Sequence, residues 1–393
     1  MSASESKLFP LVGLQAVANA HHEWVAVILH LPLQASDAAL SMLLSAGDVF
    51  AALAPLQLIV TLSDPCGLSD SVLAALPARR TLLRIPSAVA AGKPVQQRCL
   101  ALADDGYRIL LDGAAGMTAL KMGAHGTSID SRGDLPSLHQ LLALPGPHLV
   151  HQVDSATRLA ECRGGGFSWF AGEHALHAAR NRGNPDDGTS RKRLLTLLAL
   201  LARDADAPEL ALQLRQDPSL SYHLLKLANS AAFGLSIPIS NFEQAITLLG
   251  RRQLQRWLQL LLYARQQEDG GNHALLPLAA VRAAHMEALC KYHGGDRDQQ
   301  DLAFMAGVFS LLDVLLGIPM EQILAVLKLD PEVALALRER GGELGRLLVL
   351  AESGHAIADM SPEVLAGAGI DAETYWRSLL EAYQWAIQVS RNL

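Results

Sequence analysis

Residues 217–250 read DPSLSYHLLKLANSAAFGLSIPISNFEQAITLLG, and this stretch decides the fold of the second half of the chain. Its spacing predicts helix, loop, helix. Asp217 suits an N-cap, because its carboxylate accepts from the free amides of a first turn, and Pro218 follows where a missing N–H costs nothing. Leu220, Leu224, Leu227 and Ala228 then recur at helical spacing. Gly234 and Pro238 break the pattern, Ser240 with Glu243 makes a capping box for a second helix, and Gly250 closes it. Local signals that agree this densely describe a rigid module. No pair of groups poised for catalysis lies within it.

The same helical periodicity runs on to the end of the chain. It predicts helices over 191–203, 208–216, 218–229, 241–249, 251–267, 276–293, 298–316, 320–328, 331–339, 343–353, 362–368 and 372–391. N-caps are legible at Asp206 with Glu209, Asp330 before Pro331, Ser361 before Pro362, and Asp371 with Thr374. No strand pattern intervenes, so residues 194–393 are expected to form an all-α bundle. Before them, residues 181–193 (NRGNPDDGTSRKR) are polar, hold two Gly and a Pro, and read as a linker.

Residues 1–180 alternate instead. Near-continuous apolar runs at 24–31, 56–62, 81–85, 107–111, 148–153 and 167–170 read as buried strands, with helix-length segments between them at 36–54, 69–76, 93–103, 135–144 and 155–163. That alternation means a parallel sheet covered by helices, closed as a (β/α) barrel or open and doubly wound. Roughly 170 residues is short against the roughly 250 typical of such barrels, so a barrel here is a trimmed one, with brief loops or a lost element. Gly164-Gly165-Gly166 follows a helix and reads as a stop and turn, not as a phosphate cradle.

Composition narrows the function. Half of the 393 residues are hydrophobic, 18% are charged and the formal net charge is -7. No basic face interleaved with aromatics occurs, which argues against nucleic acid. The four cysteines make no Cys-x-x-Cys pair and read as reduced thiols. The start MSASESKLFP is no signal peptide, and the most apolar helix, 194–202, is too short for a bilayer of about 30 Å. A cytoplasmic protein without a membrane or a cofactor is expected.

The 217–250 stretch is similar to the HDOD family, a helical signalling module related to HD-type phosphohydrolases but usually lacking their metal site. The resemblance is carried by Asp217-Pro218-Ser219-Leu220, by Leu224-Leu225-Lys226-Leu227-Ala228-Asn229-Ser230-Ala231 and by Ala245-Ile246-Thr247-Leu248-Leu249-Gly250. It implies that the His-Asp pair of the enzymes would fall within 303–313, where Ser310-Leu311 stands instead; the chain has no His-Asp dipeptide. His273, His285 and His293 then read as surface or cap histidines.

The first half resembles the EAL family of barrels, which hydrolyse cyclic di-GMP. The resemblance is carried by Gly106-Tyr107-Arg108-Ile109-Leu110-Leu111-Asp112, Val153-Asp154-Ser155 and Phe167-Ser168-Trp169-Phe170-Ala171-Gly172. It implies carboxylates and an Asn at strand ends that hold two divalent cations, with a Lys and a Gln assisting. Here the name-giving Glu falls near Val27, the Asn near Thr61, the next Glu on Arg84, the second Asp on Gly113, the Lys on Ser128 and the Gln on Ala171. Asp112, Asp130 and Asp154 remain, with Arg84, as a vestigial barrel mouth. An arginine in place of an acid suggests an ion pair with one of the aspartates.

These readings give an α/β plus all-α chain: a shortened EAL-like (β/α) barrel and an all-helical HDOD bundle. The expected function is non-catalytic signal transduction through contacts with other signalling proteins. The alternatives are a cyclic di-GMP receptor that binds without cleaving, using Arg84, Arg158 or Arg163, and a residual metal-dependent phosphodiesterase. Arg252, Arg256 and Trp257 offer a candidate interaction surface, against the simpler reading of a solvated helix face with Trp257 in the core. A Leu-rich face suits a homodimer or domain packing equally.

Overall fold

The computed structural model describes residues 9–31, 37–114, 116–178, 250–263, 274–355 and 361–392, with 196, 199–200, 205–206, 209–210 and 212 in addition. The 217–249 stretch, the linker 181–193, His273 and most of the helices expected over 191–216 lie outside the described residues. The chain forms two compact units: Met1–His174 with Ser353–Leu380, and Ala175–Glu352 with Glu381–Leu393.

The first unit is a closed eight-stranded barrel in sequential order: β1 (Gly13–Ala18), β2 (Trp24–His30), β3 (Gln57–Thr61), β4 (Thr81–Pro86), β5 (Arg108–Asp112), β6 (Gly126–Asp130), β7 (Leu149–His151) and β8 (Trp169–Phe170). Strands β2 to β8 run parallel, and β1 pairs antiparallel with both β2 and β8. Nothing is lost from the barrel. Its brevity comes from its connections, which hold α1 (Asp37–Ser45), α2 (Val49–Ala52), α3 (Asp70–Ala75), α4 (Ser87–Ala90), α5 (Lys93–Asp104), α6 (Met117–Lys121), α7 (Leu138–Leu141) and α8 (Ala156–Gly164); α2, α4, α6 and α7 are only four or five residues long. A ninth helix, α9 (His174–Ala178), follows β8.

Two strands escape the apolar pattern for physical reasons. β1 is GLQAVA, its apolar pattern interrupted by Gln15. β6 is GTSID, and its glycine is demanded by packing: a Cβ on Gly126 would lie 1.9 Å from the Pro147 carbonyl oxygen. Ile129 is the one large apolar side chain on β6, so no hydrophobic run announces the strand.

Strand side chains alternate, so every second residue enters the barrel. One inward layer is apolar: Val17, Ala26, Ile28, Ile59, Leu82, Leu110, Leu149 and Ala171, all fully buried. Two residues further toward the C-terminal ends, the same inward positions carry His30, Thr61, Arg84, Asp112 and His151. The barrel thus has a dry waist and a polar mouth.

The second unit is helical. It comprises α10 (Arg251–Leu261), α11 (Leu275–Tyr292), α12 (Arg297–Phe309), α13 (Leu312–Leu316), α14 (Met320–Val326), α15 (Pro331–Glu339) and α16 (Gly342–Glu352). Beyond it α17 (Pro362–Gly367) and α18 (Ala372–Asn392) complete the chain. The expected caps are present: the Asp206, Asp330 and Asp371 carboxylates accept from the amides of Glu209, Glu332 and Thr374 at 3.1, 2.8 and 2.9 Å, and Ser361 accepts from Val364 at 3.4 Å. The helix expected over 298–316 is two, α12 and α13, broken at Ser310-Leu311. This stretch, Arg297–Leu316, is long and apolar enough to cross a membrane, and most of it is buried inside the protein.

Helix α11 is buried on nearly every side, and α12 lies directly against it. Gly307 permits that approach, since a Cβ there would come within 2.6 Å of the Ala283 Cα. Burial all round also corrects the expectation for His285, which is fully buried in α11 and not on its surface; His293 does stand at the helix's C-cap.

Gly307→Ala is expected to push α12 off α11 and cost about 1–3 kcal/mol, the range for overpacking a tight interior. Gly367→Ala, where a Cβ meets nothing within 4 Å, should be neutral or slightly stabilising. Urea unfolding of both variants measures the difference, and equal midpoints would refute the close-approach argument.

Candidate functional site

The barrel mouth is built from strand ends. β4 delivers Arg84, β5 Asp112, β6 Ser128 and Asp130, β7 His151, and β2 His30. Arg84 Nη2 donates to Asp112 Oδ1 at 2.7 Å, and both side chains are largely buried. The same Nη2 stands 2.9 Å from His151 Nε2. An arginine has no acceptor, so where the two bond the guanidinium donates; His151 Nε2 also lies 3.6 Å from Asp112 Oδ1. His30 Nε2 pairs with Gln15 Oε1 at 3.0 Å on the neighbouring strand.

Electrostatics follow from this packing. Burial pushes the Asp112 carboxyl up, but His151 and the Arg84 guanidinium outweigh it and hold the group below the usual aspartate value. Burial, helped by the charges of Arg84 and His151, pushes His30 down to about 4, so it is neutral at neutral pH. The mouth therefore carries one internally paired ion pair beside a neutral His30.

The four residues singled out in the sequence do not converge. Arg84 and Asp112 meet as an ion pair. Asp130 turns instead to Arg132, whose Nε and Nη2 reach its carboxylate at 3.0 and 2.5 Å and hold it at about 2. Asp154 lies exposed on the loop after β7. Ser128, where the EAL resemblance places a lysine, is fully buried and supplies no charge. The fit to a divalent cation is therefore poor: a guanidinium occupies the place beside Asp112, and no group of three or more His, Cys, Asp or Glu among the described residues could hold a metal. Arg158, considered above as a phosphate contact, spends its donors on the Ser131 and Gly133 carbonyls and on Glu161.

His30, His151 and Gln15 were missed by sequence reasoning. The signal was available in the two-residue period: Ile28 and Leu149 face the waist, so His30 and His151 must face the mouth.

In the helical unit a comparable arrangement surrounds Ser310. Arg282, buried in α11, donates from Nη1 to Ser310 Oγ at 3.1 Å and lies 3.4 Å from Glu352 Oε1. Glu352 in turn accepts two bonds from Arg340, at 2.9 and 2.7 Å. Ser310 Oγ donates to the Gly307 carbonyl at 2.8 Å, which accounts for the helix break here.

The face offered as an interaction surface is engaged within its own unit. Arg252 Nε meets Asp301 at 2.6 Å, and Arg256 Nη2 meets Glu287 and Asp301 at 2.5 and 2.9 Å. The Arg256 guanidinium also lies 4.8 Å from the Phe304 ring centroid. Trp257 is in the core, 5.7 Å from the Trp385 ring. The docking reading is corrected accordingly: Glu287 of α11 and Asp301 of α12 already take up these donors.

Arg84→Ala is expected to destabilise the barrel by about 1–3 kcal/mol at neutral pH, the range for a hydrogen bond to a charged group. Asp112 titrates lower folded than unfolded, so its contribution is present above about pH 4 and fades as pH falls through the folded value. The stability gap between wild type and Arg84→Ala should therefore shrink between about pH 7 and about pH 3. Urea unfolding at both values checks this, and a gap of unchanged size would contradict the ion-pair reading.

Comparison with known proteins was consistent with this architecture. The HDOD domain family model matches residues 191–316. The cyclic di-GMP phosphodiesterase CdgJ of Vibrio cholerae serotype O1 is 34% identical over 177 residues, covering 45% of this chain and 40% of that protein. The uncharacterized protein YuxH of Bacillus subtilis is 32% identical over 177 residues, 44% of this chain and 42% of that protein. The chain thus spans about two fifths of the length of these curated relatives. Among solved structures, a putative phosphohydrolase from Shewanella amazonensis has a TM-score of 0.38 at 17% identity, covering 51% of this chain and 93% of that one. The EAL domain of Mycobacterium smegmatis DcpA has a TM-score of 0.35 at 14% identity, covering 43% and 90%. The chain joins a closed eight-stranded barrel bearing EAL-like motifs to a helical region that contains an HDOD domain.

Proposed function

We propose that this chain is a non-catalytic protein of cyclic di-GMP-related signalling, working in the cytoplasm through contacts with other proteins. The observation that carries the reading is the Arg84–Asp112 pair at 2.7 Å. Metal-assisted phosphodiester hydrolysis needs cations that lower the pKa of a water and neutralise the phosphate. A guanidinium supplies positive charge but has no open coordination position and cannot ionise a water. With Arg84 fixed on Asp112, positive charge at the mouth comes from a guanidinium that cannot ionise a water.

The relative CdgJ is named a phosphodiesterase, which supports placing this chain in the same signalling chemistry. The residue types at this mouth support a different role within it. The helical unit supports the same reading, because the HDOD resemblance puts Ser310-Leu311 in place of the His-Asp pair, and Ser310 there accepts from Arg282.

The test is an assay of the purified chain with cyclic di-GMP and either Mg²⁺ or Mn²⁺, followed by chromatography of the products. The expected result is no cleavage above buffer, unchanged in Asp112→Ala. Metal-dependent turnover that Asp112→Ala abolishes would overturn the proposal. A calorimetric titration with the nucleotide in Ca²⁺ separates the two non-catalytic readings: absence of binding supports a protein-contact scaffold, and saturable binding makes the chain a nucleotide receptor.

A further inference from the structure

Cys66 and Cys99 stand apart from the mouth residues and from the reading just given. Cys66 lies in a tight 3-10 turn, Pro65–Gly67, within the connection from β3 to α3. Asp64 fixes that turn by accepting from the Cys66 amide at 3.0 Å. The Cys66 side chain is exposed. Cys99 lies midway along α5 and is fully buried. The turn packs directly against α5, which brings the exposed thiol to the helix that holds the buried one.

Their chemistry is unequal. Burial first, and then the proximity of Cys66, push the Cys99 thiol up to about 11. Cys99 is thus a protonated, shielded thiol that does not meet a soluble oxidant directly. Cys66 is the accessible one. An accessible thiol that reacts first beside a shielded one that displaces the product is the working arrangement of a redox-responsive pair.

We propose that Cys66 and Cys99 form a reversible intramolecular disulfide when the protein meets a small disulfide oxidant. With oxidised glutathione the step balances. The Cys66 thiolate attacks one glutathione sulfur, the S–S bond breaks, and one glutathione thiolate leaves. Cys99 gives up its proton and attacks the Cys66 sulfur, expelling the second glutathione. Two protein thiols are oxidised, one glutathione disulfide is reduced to two thiols, and the two protons released pass to the leaving thiolates.

The consequence reaches the mouth. The loop holding Cys66 leaves the C-terminal end of β3, the same end of the barrel at which β4 and β5 present Arg84 and Asp112. Tying that loop to α5 fixes one wall of the mouth, so oxidation state would set how open the mouth is.

The experiment treats the full chain with oxidised glutathione, blocks remaining thiols with N-ethylmaleimide, and maps peptides without reduction. A peptide pair joined through Cys66 and Cys99, with two of the four thiols lost on denaturation, is expected. Dithiothreitol should restore all four. Cys66→Ser, at an exposed position, should fold normally and keep every remaining thiol. Three outcomes would overturn the proposal: four thiols retained in the wild type, Cys66 carrying glutathione with no cross-link, or chains joined to one another through Cys66.

Discussion

Closing eight strands on themselves is the constraint from which the rest of the first unit follows. Closure leaves no edge strand and forces alternate side chains inward. The waist layer from Val17 to Ala171 then has to be apolar, since it excludes water on all sides. The next layer opens toward the loops and tolerates polar groups that pair with one another. Arg84, Asp112 and His151 sit together because the register β4-β5-β6-β7 places them in that layer, although they are distant in sequence.

A buried guanidinium beside a carboxylate recurs in each unit. In the barrel it is Arg84 against Asp112, and among the helices it is Arg282 against Ser310 and Glu352. Carboxylates left unpaired in a low-dielectric place are costly. An arginine removes that cost, because it carries a permanent charge and several donors in a fixed plane. At Arg282 burial disfavours the charged form, and the Glu352 carboxylate opposes that cost. Each arginine therefore ties together elements that are distant along the chain.

Much of this could be read from sequence, for local reasons. Asp330, Ser361 and Asp371 cap helices because the acceptor and the free amide lie within three residues of each other. Arg84 announced its ion pair because a cation had replaced an acid inside a recognisable strand pattern. The illegible parts depended on neighbours distant in the chain. β6 could not be seen because Gly126 answers to Pro147, and the buried partner of Ser310 could not be seen because Arg282 lies on another helix, 28 positions away. Arg252 and Arg256 looked like a free basic face because Glu287 and Asp301 are 31 to 49 positions away.

The sequence by itself determined the strand–helix alternation of the first half, the helical character of the described part of the second, and which residue types stand at the strand ends. Periodicity, caps and residue type are properties of short segments, and they survive any arrangement of those segments. Only the tertiary structure decided which charges neutralise one another: Arg84 with Asp112, Asp130 with Arg132, and Arg256 with Glu287. Pairing depends on distance and on the exclusion of water, and both are fixed when strands and helices pack, not by their order along the chain.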